Sequence, residues 1–434
     1  MKKLLWLLVI LPLIISQSCE LFPTAPTDPP PQPPIPPQVT TDDCRDCIVE
    51  DRERGNHACD EFMIDFREFS PGAIRRSEQV LREEGFVKVK DCMCGEELQL
   101  WQVSPDVDLE AGMQAAREKI DLQGGDFLDY NFELFLGPFP DRGQISGGDQ
   151  VRIGPGSGPK TSQVDVAIID SGIDLFHASL KDILWENPAL FETRDDCIAG
   201  DIHGYDFQDN DVQPLDTYGH GTHLAGIIGQ NYPSEVDLRI LPLKFHDGQQ
   251  GFLFDAVCAM YYAIKKDVDV INLSWGFESP TPPAILTRAI KRAVGEGIVV
   301  VTSAGNNNSD NDTNPHWPSN YEEMVLSVAN LNSGSNNLVG NSNYGQNQVD
   351  LAAPGEFIVS TFPTNDFKIL TGTSMAAANV SRVVSILKAR NPGADPVSVM
   401  NCILTTVTPL SPALDNKVST KGYLDEANAL SCTP

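Results

Sequence analysis

Basic residues are scarce in this chain. Its 434 residues include 31 Lys and Arg against 60 Asp and Glu, a formal net charge of −29. So acidic a chain repels phosphate, which argues against nucleic acid or an anionic membrane surface as partners. The acids favour a soluble surface and could also hold cations; the plainer reading is that they only cover the surface. The N-terminus also lacks a membrane-length apolar run. Leu4 to Leu11, behind Lys2-Lys3, is too short and wrongly flanked to span a bilayer. It reads instead as a secretory signal over residues 1–18, which predicts an exported chain. Apolar residues are not lacking. At 41% of the chain they suffice for a real core.

Ser16-Gln17-Ser18 offers small residues for signal cleavage, and Cys19 follows directly. The layout resembles a bacterial lipoprotein signal, although Ser16 stands where such signals carry Leu. Lipidation of Cys19 and ordinary cleavage both stay open, so any membrane attachment would run through that lipid. Residues 19–59 form a spacer, with prolines crowding 23–37 into an extended, semi-rigid stretch. Cys44, Cys47, His57 and Cys59 could ligate zinc, but the ten cysteines of an exported chain favour disulfides. Cys92 and Cys94 join that set. Residues 60–136 alternate as strand, helix, strand, strand, helix, strand, with Phe127 to Leu136 as the last strand. This is a βαββαβ arrangement. Residues 137–163, rich in Gly and Pro, read as an exposed, cleavable linker.

From residue 164 to 434, β-branched strands alternate with apolar helices. Val164 to Ile169 is a strand ending in Asp170-Ser171-Gly172. Tyr218-Gly219-His220-Gly221-Thr222-His223 opens a helix. Two further strands end in Ser274-Trp275-Gly276 and Ser303-Ala304-Gly305-Asn306. Gly372-Thr373-Ser374-Met375-Ala376-Ala377 begins another helix, whose Val380, Val383, Val384 and Leu387 share one face. Each motif alone has an ordinary reading. Asp170 could be a turn residue, His220 a satisfied structural histidine, Asn306 a turn asparagine and Ser374 an N-cap. His220 and His223 could also be read as metal ligands, but no third ligand accompanies them at suitable spacing.

Taken in order, these motifs are far more specific than any one of them. Together with Val270 to Ser274, Ser342 to Gly345, Asp350 to Gly355 and Gly422 to Ala427, they resemble the subtilisin-like serine proteases, or subtilases. The resemblance runs from about Val164 to Ala429. It implies an α/β fold with a doubly wound, mostly parallel sheet, preceded by a small α+β prosegment. It implies an exported, self-processing serine endopeptidase, secreted or held in the cell envelope, acting on proteins or peptides. Ser374 would attack, His220 would move the proton and Asp170 would orient the ring. Asn306 and the Ser374 N–H would hold the oxyanion. Ser274, Trp275, Gly276, Ala304 and Gly305 would flank a substrate paired as an added strand. Residues 60–136 would then be the chain's own intramolecular inhibitor.

No cofactor is required for this chemistry, while structural calcium stays open. Asp206, Asp209, Asp211, Asp216 or the Ser309 to Asp312 run could supply oxygen ligands. Cys197, Cys258, Cys402 and Cys432 allow three pairings, and free buried thiols at Cys258 and Cys402 are an equal alternative. With Cys19 lipidated and the linker cut, the lipid would hold the prosegment while the protease departs or stays by non-covalent contact. The rival expectation is a catalytically silent subtilase fold acting as a surface binding or scaffold protein. One departure from the family pattern is plain: Ala378-Asn379 stand where Pro-His is usual.

Overall fold

The computed structural model describes residues 48–49, 57–67, 69–94, 97–104, 106–120, 127–136, 152–188, 197–412 and 416–434. The signal over 1–18, Cys19, most of the 19–59 spacer and the linker up to 151 lie outside the described residues.

An antiparallel sheet comes first. Its elements are β1 (Ile48–Val49), β2 (His57–Asp65), α1 (Pro71–Glu83), β3 (Val87–Asp91), β4 (Leu98–Gln102), α2 (Leu109–Lys119) and β5 (Leu128–Phe132). β2 lies between β4 and β5, and β3 closes the edge beside β4. Apolar residues of both helices and of the sheet, among them Phe62, Ile74, Leu81, Trp101 and Met113, form its core. Ser70 and Asp108 cap the two helices by accepting from Ala73 and Ala111 N–H.

The larger body holds β6 (Ser162–Asp170), β7 (Tyr205–Asp206), α3 (His220–Gly229), β8 (Val236–Lys244), α4 (Leu253–Lys265) and β9 (Val270–Leu273). It continues with β10 (Phe277–Glu278), α5 (Ala284–Gly295), β11 (Val299–Ser303), β12 (His316–Trp317), β13 (Val325–Leu331) and β14 (Leu351–Pro354). The last elements are β15 (Ile358–Phe362), β16 (Asp366–Leu370), α6 (Thr373–Arg390), α7 (Pro396–Leu404), β17 (Thr408–Pro409), β18 (Gly422–Tyr423) and α8 (Glu426–Ser431). Nine strands make the central sheet in the order β17-β18-β14-β13-β11-β9-β6-β8-β7. All its pairings are parallel except β17 with β18. Such a sheet must be covered on both faces. α3, α6 and α7 contribute to the core on one side, α4 and α5 to that on the other. Strand order reverses around β6, so its carboxyl end sits at a switch point, where open α/β sheets leave a crevice.

The two sheets share a core. Met63, Leu98, Leu100 and Phe132 of the first sheet pack with residues of α4 and α5. The N-termini of α4 and α5 lack a capping side chain of their own. β5 supplies both: Asn131 Oδ1 accepts from Phe254 N–H at 3.0 Å, and Asp129 Oδ2 accepts from Ile285 N–H at 2.9 Å.

The cysteines pair differently from the sequence reading. Cys92–Cys258 and Cys94–Cys197 join the first sheet to the larger body, with Cα separations of 5.5 and 5.3 Å. Cys402–Cys432 pins α7 to the end of α8. The four cysteines of the larger body therefore do not pair only among themselves, and Cys258 and Cys402 are not free thiols. Helical spacing identified them as buried but could not reveal the partner of Cys258, 166 residues away.

Candidate active site

Asp170 ends β6, fully buried, and His220 begins α3. The close approach of these ends depends on glycine. A Cβ on Gly221 would lie 2.1 Å from the Gly172 carbonyl oxygen, and Gly219 starts α3 at φ 104° against the Phe362 ring. With that approach made, His220 Nδ1–H donates to both Asp170 oxygens, at 2.8 and 2.9 Å. The acceptor on Nδ1 fixes the tautomer and leaves Nε2 as the basic atom.

A second carboxylate, Asp216, builds the turn before His220. It accepts from Ser171 Oγ, Tyr218 N–H, Gly219 N–H, Thr222 N–H and Thr222 Oγ1 at 2.6–3.0 Å. Burial pushes its pKa up against these hydrogen bonds. His223, read earlier as a metal-ligand alternative, is a core histidine bound through one ring nitrogen. Its Nε2–H donates to the Ile358 and Lys368 carbonyls, tying α3 to the β15–β16 hairpin, and burial holds it down at about 3.

Ser374 is the second residue of α6, where backbone N–H groups lack intrahelical acceptors. Its hydroxyl donates to the Ser274 carbonyl at 3.3 Å, and Ser274 Oγ donates back to the Ser374 carbonyl at 3.3 Å. No hydrogen bond joins Ser374 to His220 in this arrangement. Asn306 Oδ1 accepts from Thr373 N–H at 3.0 Å and Thr373 Oγ1 at 3.2 Å, which pins its carbonyl side and leaves the amide donor to turn outward. Asn343 Oδ1 holds the following loop by accepting from Asn307 and Ser309 N–H.

One cleft of about 1050 Å³ is lined by Ser274, Trp275, Gly276, Ser303, Gly305, Asn306 and Ser374. Ala304 is fully buried and is not part of that lining. Trp275 lines the cleft but is only 1% exposed, and its ring meets Phe245 in the core at 5.5 Å. Ala378-Asn379 leave α6 regular; Asn379 Nδ2 donates to the Pro354 carbonyl at 2.8 Å.

The cleft also holds residues that sequence reasoning placed elsewhere. β5 ends at Phe132, and residues 133–136 leave the first sheet. Leu134 N–H donates to the Gly251 carbonyl at 2.8 Å. Phe135 and Gly276 exchange both backbone hydrogen bonds at 3.1 Å, in antiparallel fashion. His246 Nδ1 accepts from Gly248 N–H, so its Nε2–H donates to the Leu134 carbonyl at 3.1 Å; burial keeps this ring neutral, at about 4. The chain therefore lays its own segment along the strand site beside Ser374.

The acids considered for calcium are engaged by neighbouring backbone and side-chain groups. Asp206 accepts from Gln208 and Asp209 N–H and pairs with Lys244 at 2.7 Å. Asp211 is taken by Gln213 N–H, Asp310 by Asp312 N–H, and Asp312 by Asn347 and Gln348 N–H. Among the described residues no group of three metal-binding side chains occurs.

A doubly wound sheet that gathers an acid, an imidazole and a helix-start serine at one end has the arrangement of a serine hydrolase. Residues 161–423 match the model of the Subtilase family, and the chain belongs to that family. It is 32% identical over 292 residues to Subtilisin-like protease 1 of Plasmodium falciparum, covering 60% of this chain and 42% of that one. It is 33% identical over 259 residues to the Thermophilic serine proteinase of Bacillus sp. strain AK1, covering 58% of each. With the Major intracellular serine protease of Bacillus subtilis it shares 32% over 250 residues, 54% of this chain and 70% of that one. The chain thus spans about two fifths of the Plasmodium relative. Among solved structures, fervidolysin from Fervidobacterium pennivorans, described as a keratinolytic enzyme related to subtilisin, superposes with a TM-score of 0.65 at 17% identity. That likeness of fold covers 87% of this chain, reaching well beyond residues 161–423, and 62% of fervidolysin.

Proposed function

We propose that this chain is an exported serine endopeptidase made as a self-processing precursor. The observation that carries this reading is the fully buried Asp170–His220 pair, whose histidine starts a helix packed against the Ser374 helix, with Ser374 and Asn306 lining one cleft. Substrate pairs with Gly276 as an added strand and presents its carbonyl carbon to Ser374. The Ser374 hydroxyl leaves Ser274 and turns to His220 Nε2, which takes its proton as the Oγ–C bond forms. Asp170 stabilises the imidazolium. The carbonyl oxygen, now negative, receives the Asn306 amide and the Ser374 N–H. His220 then gives its proton to the leaving amine, and water repeats the cycle to free the acyl enzyme.

Residues 60–136 serve as the intramolecular inhibitor, with 133–136 as the part in the cleft. Cleavage falls in the linker, upstream of the Arg152 to Lys160 stretch that runs along the body through Gly154–Gly229 and Asn231–Arg152 backbone bonds. Departure of the protease by loss of non-covalent contact alone does not fit the disulfides. Cys92–Cys258 and Cys94–Cys197 join the two sides of any such cut.

Fluorophosphonate labelling tests the activity. Labelling of the processed chain that disappears in Ser374→Ala is expected. Folded, processed protein that takes no label would instead be the silent scaffold.

A further inference from the structure

One buried titratable group in the cleft has no part in the chemistry above. His316 begins β12, which pairs with β10 so that His316 lies opposite Glu278 and Trp317 opposite Phe277. This pairing sets the imidazole against two bare stretches of backbone. An ideal Cβ on Gly276 would stand 2.1 Å from His316 Cε1 and 2.7 Å from Nε2; one on Gly305 would stand 3.2 Å from Nε2. The Cε1–Nε2 edge therefore closes the gap between the Ser274–Gly276 and Ser303–Gly305 walls.

The register of the bound segment shows which substrate residue meets that gap. Phe135 stands opposite Gly276, so in a substrate bound in that register the residue two further along would stand opposite Ser274. Ser274 is hydrogen-bonded to Ser374 in both directions, so that residue supplies the carbonyl under attack. Its side chain has the gap beside it.

We propose that His316 selects the residue on the acyl side of the cut bond, favouring a side chain that ends in a carboxamide. This rests on the peptidase reading of the site. The ring is 7% exposed, and its Nδ1 is enclosed with no hydrogen-bond partner. Burial without a charged partner holds the ring down at about 4, so it is neutral at pH 7. A neutral imidazole carries one N–H, and a bare lone pair is more readily buried than a bare N–H. The proton therefore sits on Nε2, aimed at the gap, where it needs an acceptor oxygen. A large apolar side chain would bury that donor unpaired, which lowers its kcat/KM by about 10-fold or more. Glu278 on the same cleft lining disfavours a carboxylate and so ranks Gln and Asn above Glu and Asp.

The test is a peptide series varying only that residue, read as kcat/KM on the processed chain. Rates are divided by the number of Ser374 sites that take fluorophosphonate. Gln or Asn should lead Phe, Leu and Glu by about 10-fold, and His316→Ala should erase the lead. His316→Gln, which keeps a donor, should retain it if His316→Ala fails to fold. Any other residue at the head of the series, or the same ranking in a labelled variant, overturns the proposal while leaving the peptidase reading intact. Absence of labelling removes both together.

Discussion

Asn306 shows how a side chain is aimed by what holds its other end. Thr373 occupies its carbonyl oxygen with two donors, and Thr373 Oγ1 in turn accepts from Gly305 N–H at 3.3 Å. Only the amide is left for the cleft. Asn306→Ala is expected to lower kcat about 100–1,000-fold with little change in KM, the loss known for the equivalent donor in subtilisin; steady-state kinetics on labelled sites would check it. At this scale the sequence was most legible where the chain is locally marked. Asp170, His220, Asn306 and Ser374 each sit beside glycines at the end of a strand or the start of a helix. His316 and His246 carry no such mark. Their places depend on β10–β12 pairing and on the Leu134 carbonyl, contacts that no local window contains. Ala304 was misplaced for the opposite reason. It stands between Ser303 and Gly305, which line the cleft, but is itself fully buried.

Among the elements, the segment after β5 is the one that lies along the cleft. Phe127 to Leu136 read as one apolar strand, and most of the run is buried. Periodicity says which residues are covered but not what covers them. Leu128 to Phe132 pair with β2, whereas Leu134 and Phe135 pair with loops of the larger body. Phe135→Pro removes the N–H that Gly276 accepts while keeping the chain extended. The substitution should weaken cleft occupancy by about 3–10-fold, the worth of one such bond. The expected readout is faster fluorophosphonate labelling of Ser374 with unchanged thermal stability; equal labelling rates would count against the segment as the barrier. Export, Cys19 and the start of the linker lie outside the described residues, so their reading stays with the sequence.

Acid sensitivity belongs to the molecule as a whole. His223, His246 and His316 are held at about 3, 4 and 4, against 6.5 in an unfolded chain. Between pH 6.5 and 4 the unfolded chain binds more protons at these sites, so unfolding becomes easier as pH falls. Each group contributes up to about 1.4 kcal/mol per pH unit. Asp350, raised by burial to about 6, acts in the opposite sense below that pH. His246→Gln should therefore flatten the decline of Tm between pH 6.5 and 4, as measured by calorimetry.

The two bridges between the first sheet and the larger body close loops of 166 and 103 residues. A cut in the linker opens those loops without separating anything. A chain processed as proposed would then be a two-chain molecule, one species on a gel without reductant and two fragments with it. The proposed inhibitory segment would stay at an effective concentration on the order of millimolar, set by the tether and not by the amount of protein. Dilution, which frees an enzyme from a dissociable inhibitor, leaves this one as occupied as before. On that reading substrate would have to outcompete a tethered neighbour until thiols open both bridges.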